Sequence, residues 1–214
     1  PRSEVFDAMN AKDVTRLALS LRRPRTATGL VLPELTRDLV SVRPDMARLA
    51  AFRRITDYPD DGRLPLTYPQ VAVFPTQFAL LADPRCTVPL MGLIQVGMQI
   101  VQIRPVMDDE AWSAKIKLAN GRGTRRGFEF DVVTTVRVAA VPVWEGIAHL
   151  LVRGKPLGRQ SESKGDRPQQ ELKDPPPGIC ETTWDVAPET VRAYARVSGD
   201  LNPIHLSALT ARLL

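Results

Sequence analysis

The chain has 214 residues, 43% of them hydrophobic and 25% charged, enough for a packed core in one large domain or two small ones. No apolar run approaches the eighteen or so residues of a membrane helix, which argues against a membrane-spanning protein. The net charge is +5, but the arginines are scattered and only three Tyr, three Trp and six Phe are available for stacking, so no nucleic-acid partner is expected.

General solubility accounts for the basic excess, which also suits an anionic small ligand or an acidic carrier protein. Cys86 and Cys180 lie far apart and share no zinc-like spacing with the two histidines, so no metal is expected. They read as reduced, buried or half-buried thiols in the cytoplasm. The N-terminus lacks a secretion signal. It also lacks an initiator methionine, so the sequence is expected not to begin at the native start.

Residues 4–22 follow a helical period within an N-terminal extension, 1–35, and the basic run after them suits a helix C-terminus. "TRDLVSV" (36–42) reads as a short strand. "RPDMARLAAFRRI" (43–55) reads as a helix with Pro44 at its first position and Asp45 in its first turn. "YPQVAVFPTQFALLAD" (68–83) is too continuously apolar for a surface helix and predicts a central, buried one, with Pro75 implying a kink or a late start. Four strand-like segments follow, 88–106, 111–120, 126–140 and 142–154, with "GRG" (121–123) reading as a turn. Gly92 and Gly97 read as bends or close sheet packing, His149 as a histidine on one face of a half-buried strand, and Trp112, Trp144 and Trp184 as packing or groove residues. The order predicts an α+β domain, 36–154, in which a curved antiparallel sheet encloses one long helix.

Residues 155–178, charged and carrying five prolines, read as a linker. The pattern then begins again. "VRPDMARLAA" at 42–51 aligns with "VAPETVRAYA" at 186–195, placing Pro44 on Pro188 and Arg48 on Arg192 at an offset of 144. "PLTYP" from Pro65 aligns with "PIHLS" from Pro203, which sets Thr67 against His205. Two copies of one fold are inferred.

In the second copy a helix over 188–198 should end at Gly199 as its C-cap. "SGDLNPIH" (198–205) then sets Asp200 and His205 around Asn202-Pro203, which stiffens the loop. Such a carboxylate and imidazole can exchange protons with water near neutral pH. The same residues are also common in polar capping turns, and spacing alone leaves both readings open.

"YARVSGDLNPIHLSALTARLL" resembles the signature of MaoC-like (R)-specific enoyl-thioester hydratases and dehydratases. Tyr194, Ser198, Gly199, Asp200, Asn202, Pro203, Ile204 and His205 fit that pattern. "RLPLTYP", "MGLIQVGMQIVQIRPV" and "RRGFEFDVVTTVRV" resemble the N-terminal half of two-copy members. The resemblance runs from about residue 36 to the end. It implies a double hot-dog fold and reversible addition of water to a trans-2-enoyl thioester, giving a (3R)-hydroxyacyl thioester. In that implied scheme Asp200 and His205 are catalytic, and Gly199, Asn202 and Pro203 support them. Backbone N–H groups near the start of the central helix polarise the thioester carbonyl, and no cofactor is used. The first copy, with Thr67 in place of His205 and no Asp-x-Asn-Pro in "DYPDDGRL", has no acid–base pair. The substrate is an acyl-CoA or acyl-carrier-protein thioester.

Family members continue beyond His205 through a full helix and four or five strands, whereas residues 179–214 supply only the start of a second hot-dog domain. The expectation is a fragment or a chain completed from elsewhere, in a homodimer or by another chain. Residues 179–214 are then packed on the first copy or a partner, with little activity for the 214 residues alone. The alternatives are a non-catalytic acyl-binding or partner subunit and a hot-dog thioesterase, although no clear nucleophile or acid for the latter is present.

Overall fold

Five segments whose side chains alternate between two faces become the strands of a single antiparallel sheet. The computed structural model describes residues 29–90, 92–154 and 185–199. In chain order these form β1 (Thr36–Val42), α1 (Met46–Thr56), α2 (Tyr68–Leu81), β2 (Leu93–Gln102), β3 (Trp112–Thr124), β4 (Gly127–Val138), β5 (Val141–Arg153) and α3 (Pro188–Ser198). The strand order is β1-β3-β4-β5-β2. The sequence-predicted extension helix 4–22 and the linker 155–178 lie outside the described residues.

One face of the sheet is built from Ile116 and Leu118 on β3, Phe130, Val132 and Val136 on β4, and Trp144, Ala148 and Leu150 on β5, all buried. Against it lies α2, which is apolar nearly all round and buries Tyr68, Val71, Ala72, Val73, Leu80 and Leu81. A helix of this kind is stable only when enclosed, and the sheet encloses it. This is the hot-dog arrangement expected from the sequence. A buried polar link crosses the interface, where Gln77 Nε2 donates to Thr134 Oγ1 at 2.9 Å. Trp144, 1% exposed, donates from Nε1 to the Leu66 carbonyl at 2.9 Å and ties the entry of α2 to β5. A Cβ at Gly146 would stand 2.3 Å from Trp144 Cη2, so the bare glycine is what admits the indole.

Several boundaries differ from the sequence reading. The "GRG" segment is strand: β3 runs through it to Thr124, with a bulge between Ala119 and Arg122 and Asn120 at φ 55°. Gly121 is small because a Cβ there would stand 2.7 Å from Leu32 Cβ. The chain reverses instead at Arg125-Arg126, between the paired Thr124 and Gly127. β2 begins only at Leu93, after Gly92 at φ 79°.

Pro44 is not the first helical residue. Asp45 is the N-cap, its Oδ1 accepting from the Ala47 and Arg48 amides at 2.9 and 3.1 Å. Pro188, by contrast, opens α3, with Ala187 at the N-cap. The two helices begin and end 142 residues apart (188 − 46 and 198 − 56), against the offset of 144 in the sequence alignment. At the offset of 142, Phe52 matches Tyr194, and their rings touch with centroids 6.1 Å apart.

Candidate active site

The residues leading into the 198–205 segment are held by α3. Its exposed side carries the Arg192–Glu189 ion pair (2.7 Å), while Ala195 and Ser198 are buried against the first α/β unit. The last turn closes as expected. Gly199 takes φ 74°, ψ 9°, a left-handed conformation that costs an L residue with a side chain, and its amide donates to the Ala195 carbonyl at 3.0 Å.

Arg48 of α1 fastens this turn. Its Nε donates to the Val197 carbonyl and its Nη2 donates to the Val71 carbonyl of α2 at 3.4 Å. Both acceptors belong to helices that leave them available. Val197 lies among the last carbonyls of α3, beyond reach of a helical N–H. Val71 lies four residues before Pro75, which has no N–H to give it. The proline flagged in the sequence thus supplies an acceptor for the guanidinium. Pro75 Cγ and Arg48 Nη2 stand 3.9 and 3.8 Å from where a Cβ on Gly199 would be. Burial lowers the Arg48 pKa, opposed by the nearby Tyr68 and Asp45.

An aromatic line continues the contact. Phe52 meets Tyr194 on one side and Tyr68 on the other, the latter edge-on with centroids 5.5 Å apart. Burial pushes the Tyr68 hydroxyl up to about 12, with Arg48 pulling the other way. At the opposite end of the α1–α3 contact lies an apolar groove of about 400 Å³, lined by Ile55, Thr56, Val186, Thr190, Val191 and Tyr194. Of its α3 lining, Thr190 lies nine residues before Gly199, about 13 Å along a helix, and Tyr194 five residues before it.

Of the sequence-predicted site residues, Gly199 is placed as the C-cap. Asp200, Asn202, Pro203 and His205 lie outside the described residues, as do Cys180 and Trp184. Cys86 is fully buried. Thr67, matched by sequence to His205, is the N-cap of α2 and makes no side-chain capping bond. The carboxylates of "DYPDDGRL" serve the loop itself. Asp60 pairs with Arg53 at 2.6 Å, and Asp61 accepts the Arg63 amide at 3.1 Å.

His149 lies on the sheet face away from α2, between the core residues Ala148 and Leu150. Its Nδ1 is 2.7 Å from Asp131 Oδ1, and Asn120 Nδ2 donates to Asp131 Oδ2 at 2.7 Å. The sheet separates this group from α2 and α3. The sequence reading missed Asp131 and Asn120 as its partners, as it missed Arg48, because none of these contacts is local in the chain.

No protein-family model matches the sequence. A curated relative, 3-hydroxyacyl-thioester dehydratase X of Mycobacterium tuberculosis, is 31% identical over 182 residues, 85% of this chain. The chain spans 63% of that relative's length. A crystal structure of HtdX from the same organism is 30% identical, with 82% of this chain and 68% of that one covered and a TM-score of 0.65. The chain belongs to the MaoC-like hydratase and dehydratase family. A MaoC-like dehydratase from Phytophthora capsici, 19% identical, shares the fold at a TM-score of 0.56 over 86% of this chain and 68% of its own. Family membership places α2 as the helix that the hot-dog sheet encloses.

Proposed function

We propose that the protein reversibly hydrates trans-2-enoyl thioesters, which in the reverse direction is the dehydration of (3R)-hydroxyacyl thioesters. The observation that carries this reading is the 31% identity to a relative named 3-hydroxyacyl-thioester dehydratase. The run Tyr194 to His205 supports it by fitting the family signature residue by residue. In this reading residues 36–154 are a first, non-catalytic hot-dog copy, 155–178 a linker, and 179–214 the start of the catalytic copy. The substrate is a thioester of coenzyme A or of a carrier protein, and the enzyme acts as a dimer or is completed by another chain. The protein is placed in the cytoplasm in this reading.

The chemistry asked of the chain is two proton transfers, one from water and one to carbon 2, and one site for negative charge. His205 accepts a proton from water as its oxygen bonds to carbon 3. The carbon–carbon π electrons move toward the thioester carbonyl, then return to form the carbon 2–hydrogen bond with a proton released on the same face by the Asp200–His205 pair, which is left holding no more protons than before water was bound. Backbone N–H groups near the start of the second copy's central helix stabilise the enolate oxygen. Asn202 and Pro203 keep the two side chains on one short, stiff loop.

The test is hydration of crotonyl-CoA followed by loss of its enoyl absorbance. Asp200→Asn and His205→Gln are each expected to lower kcat by about 10²–10⁴-fold with the circular dichroism spectrum unchanged. Retained turnover in both variants would remove the site assignment, and no hydration by the full-length wild type would remove the activity.

A further inference from the structure

We infer that a basic stripe on the sheet face away from α2, formed by Lys115 and Lys117 of β3 with Arg122, Arg125, Arg126 and Arg153 around the β3–β4 hairpin, docks an acidic carrier protein that brings the thioester. The inference rests on the hydratase reading above and deepens it by naming the form in which the substrate arrives.

The stripe begins in composition. Residues 111–130 hold five basic side chains and one acidic one, Glu129. The sheet then sorts them by face. Ala114, Ile116 and Leu118 turn inward and are buried, so Lys115 and Lys117 between them turn outward, and both are exposed. The bulge between Ala119 and Arg122 adds one residue to β3, so Arg122 rather than Gly121 stands across from Glu129 and keeps to the outer face. Arg153 joins from β5, opposite Gly127. A glycine is required there, at φ 139°, because a Cβ would collide with the Val152 carbonyl oxygen. Lys115 and Arg122 lie about 23 Å apart along the strand.

The arginines at the hairpin are braced. Glu129, 8% exposed, accepts from Arg122 Nη2 at 2.7 Å and from Arg126 Nη2 at 2.8 Å. Burial raises the Glu129 pKa, and the two arginines together lower it by more, so the carboxylate stays charged beneath them. Both guanidinium groups remain more than half exposed and keep further N–H donors for a partner. Arg125 and Arg153 are exposed and form no ion pair among the described residues. At the far end of the stripe, Asp38 stands across from Lys115.

Shape and surroundings choose the partner. A small anion such as coenzyme A binds in a concave pocket, whereas these side chains run along a strand and round its hairpin, and none lines the α1–α3 groove. Nucleic acid calls for aromatic stacking, but Phe128 and Phe130 are buried. A membrane surface calls for apolar side chains beside the charge, and no large hydrophobic residue of 111–138 is exposed. A line of carboxylates on a protein surface fits, since an acidic helix of about four turns is about 22 Å long.

The test compares the full-length wild type with a double variant, Arg125→Glu and Arg153→Glu. Neither arginine bonds Glu129, so the hairpin keeps its own ion pairs. The probes are crotonyl-CoA and a crotonyl thioester on a small acidic acyl carrier protein. For the carrier-bound substrate the variant's KM is expected to rise about 10- to 30-fold with kcat little changed, the gap closing as ionic strength goes from about 0.05 to about 0.5 M. The KM for crotonyl-CoA should not move. Equal loss for both substrates would make the stripe a site for the coenzyme's phosphates and overturn carrier docking, as would an unchanged KM for both. Fluorescence anisotropy of the labelled carrier measures docking without turnover, and equal affinity for wild type and variant overturns the proposal. Binding of a single-stranded RNA or an anionic phospholipid vesicle, lost in the variant, with no binding of the carrier would also overturn it. A wild type that hydrates neither substrate sinks the hydratase reading, while anisotropy still decides the docking.

Discussion

Replacing Gly146 by alanine adds one methyl group to a strand, and the structure sets its cost. The new Cβ would stand 2.3 and 2.8 Å from Trp144 Cη2 and Cζ3 and 3.0 Å from Met98 Cε. The methionine can yield; the indole, 1% exposed and packed in the core, cannot do so without moving as a ring. Overpacking of this kind costs about 1–3 kcal/mol. Moving the ring also breaks the Trp144–Leu66 hydrogen bond, adding about 1 kcal/mol.

The expected destabilisation is therefore about 2–4 kcal/mol, a fall of roughly 1–2 M in the urea midpoint. Trp144→Phe removes the atoms that clash, so Gly146→Ala should cost less in that background than alone, with a coupling of about 1–2 kcal/mol in the double-mutant cycle. Urea unfolding of the four proteins, followed by circular dichroism, measures this. Additive costs, or a wild-type midpoint for Gly146→Ala, would refute the packing argument.

Three further outcomes are expected. The side-chain hydrogen bond from Arg85, with Arg37 also close, holds the Asp83 carboxyl below the usual carboxylate range. A depressed carboxyl pKa stabilises the fold above the unfolded value, about 3.9, and that contribution is lost as pH falls through the folded value. Asp83→Asn should therefore lower the melting temperature at pH 7, with the deficit narrowing below pH 4 in a pH series of both proteins. His149→Gln should leave hydration kcat unchanged, since the sheet lies between His149 and α2. Asp131→Ala strips acceptors from both His149 and Asn120 and should cost about 1–3 kcal/mol in chemical denaturation, and full stability would show those bonds to be idle.

The sequence showed those features whose cause is local. Alternation marked the strands, continuous apolarity marked α2, and Gly199 marked the end of α3. Where the cause was distant, sequence reading failed. Gly121 looked like a turn residue, yet its size is dictated by Leu32, nearly ninety positions earlier. The β4–β5 hairpin turns on Ala139 and Ala140 at φ 47° and 68°, a conformation that alanine does not advertise. Pro44 and Pro188 look equivalent in an alignment, but one precedes an aspartate cap and the other begins a helix. At the site, the signature residues announced themselves as a contiguous run. Arg48 did not, because its meaning depends on Pro75 and Val197, which only folding brings to it.

The Arg48–Val197 bond closes a loop of 149 residues. Closing so long a loop is entropically unfavourable until other contacts have already drawn its ends together. Strand pairing among β3, β4 and β5, joined by two-residue hairpins, faces no such barrier. The expected order on refolding is the sheet and its enclosed helix first and the docking of α3 last. After dilution from denaturant, recovery of the proposed hydration activity should lag the tryptophan fluorescence signal from the core. Simultaneous recovery would show that the two parts form as a single kinetic unit.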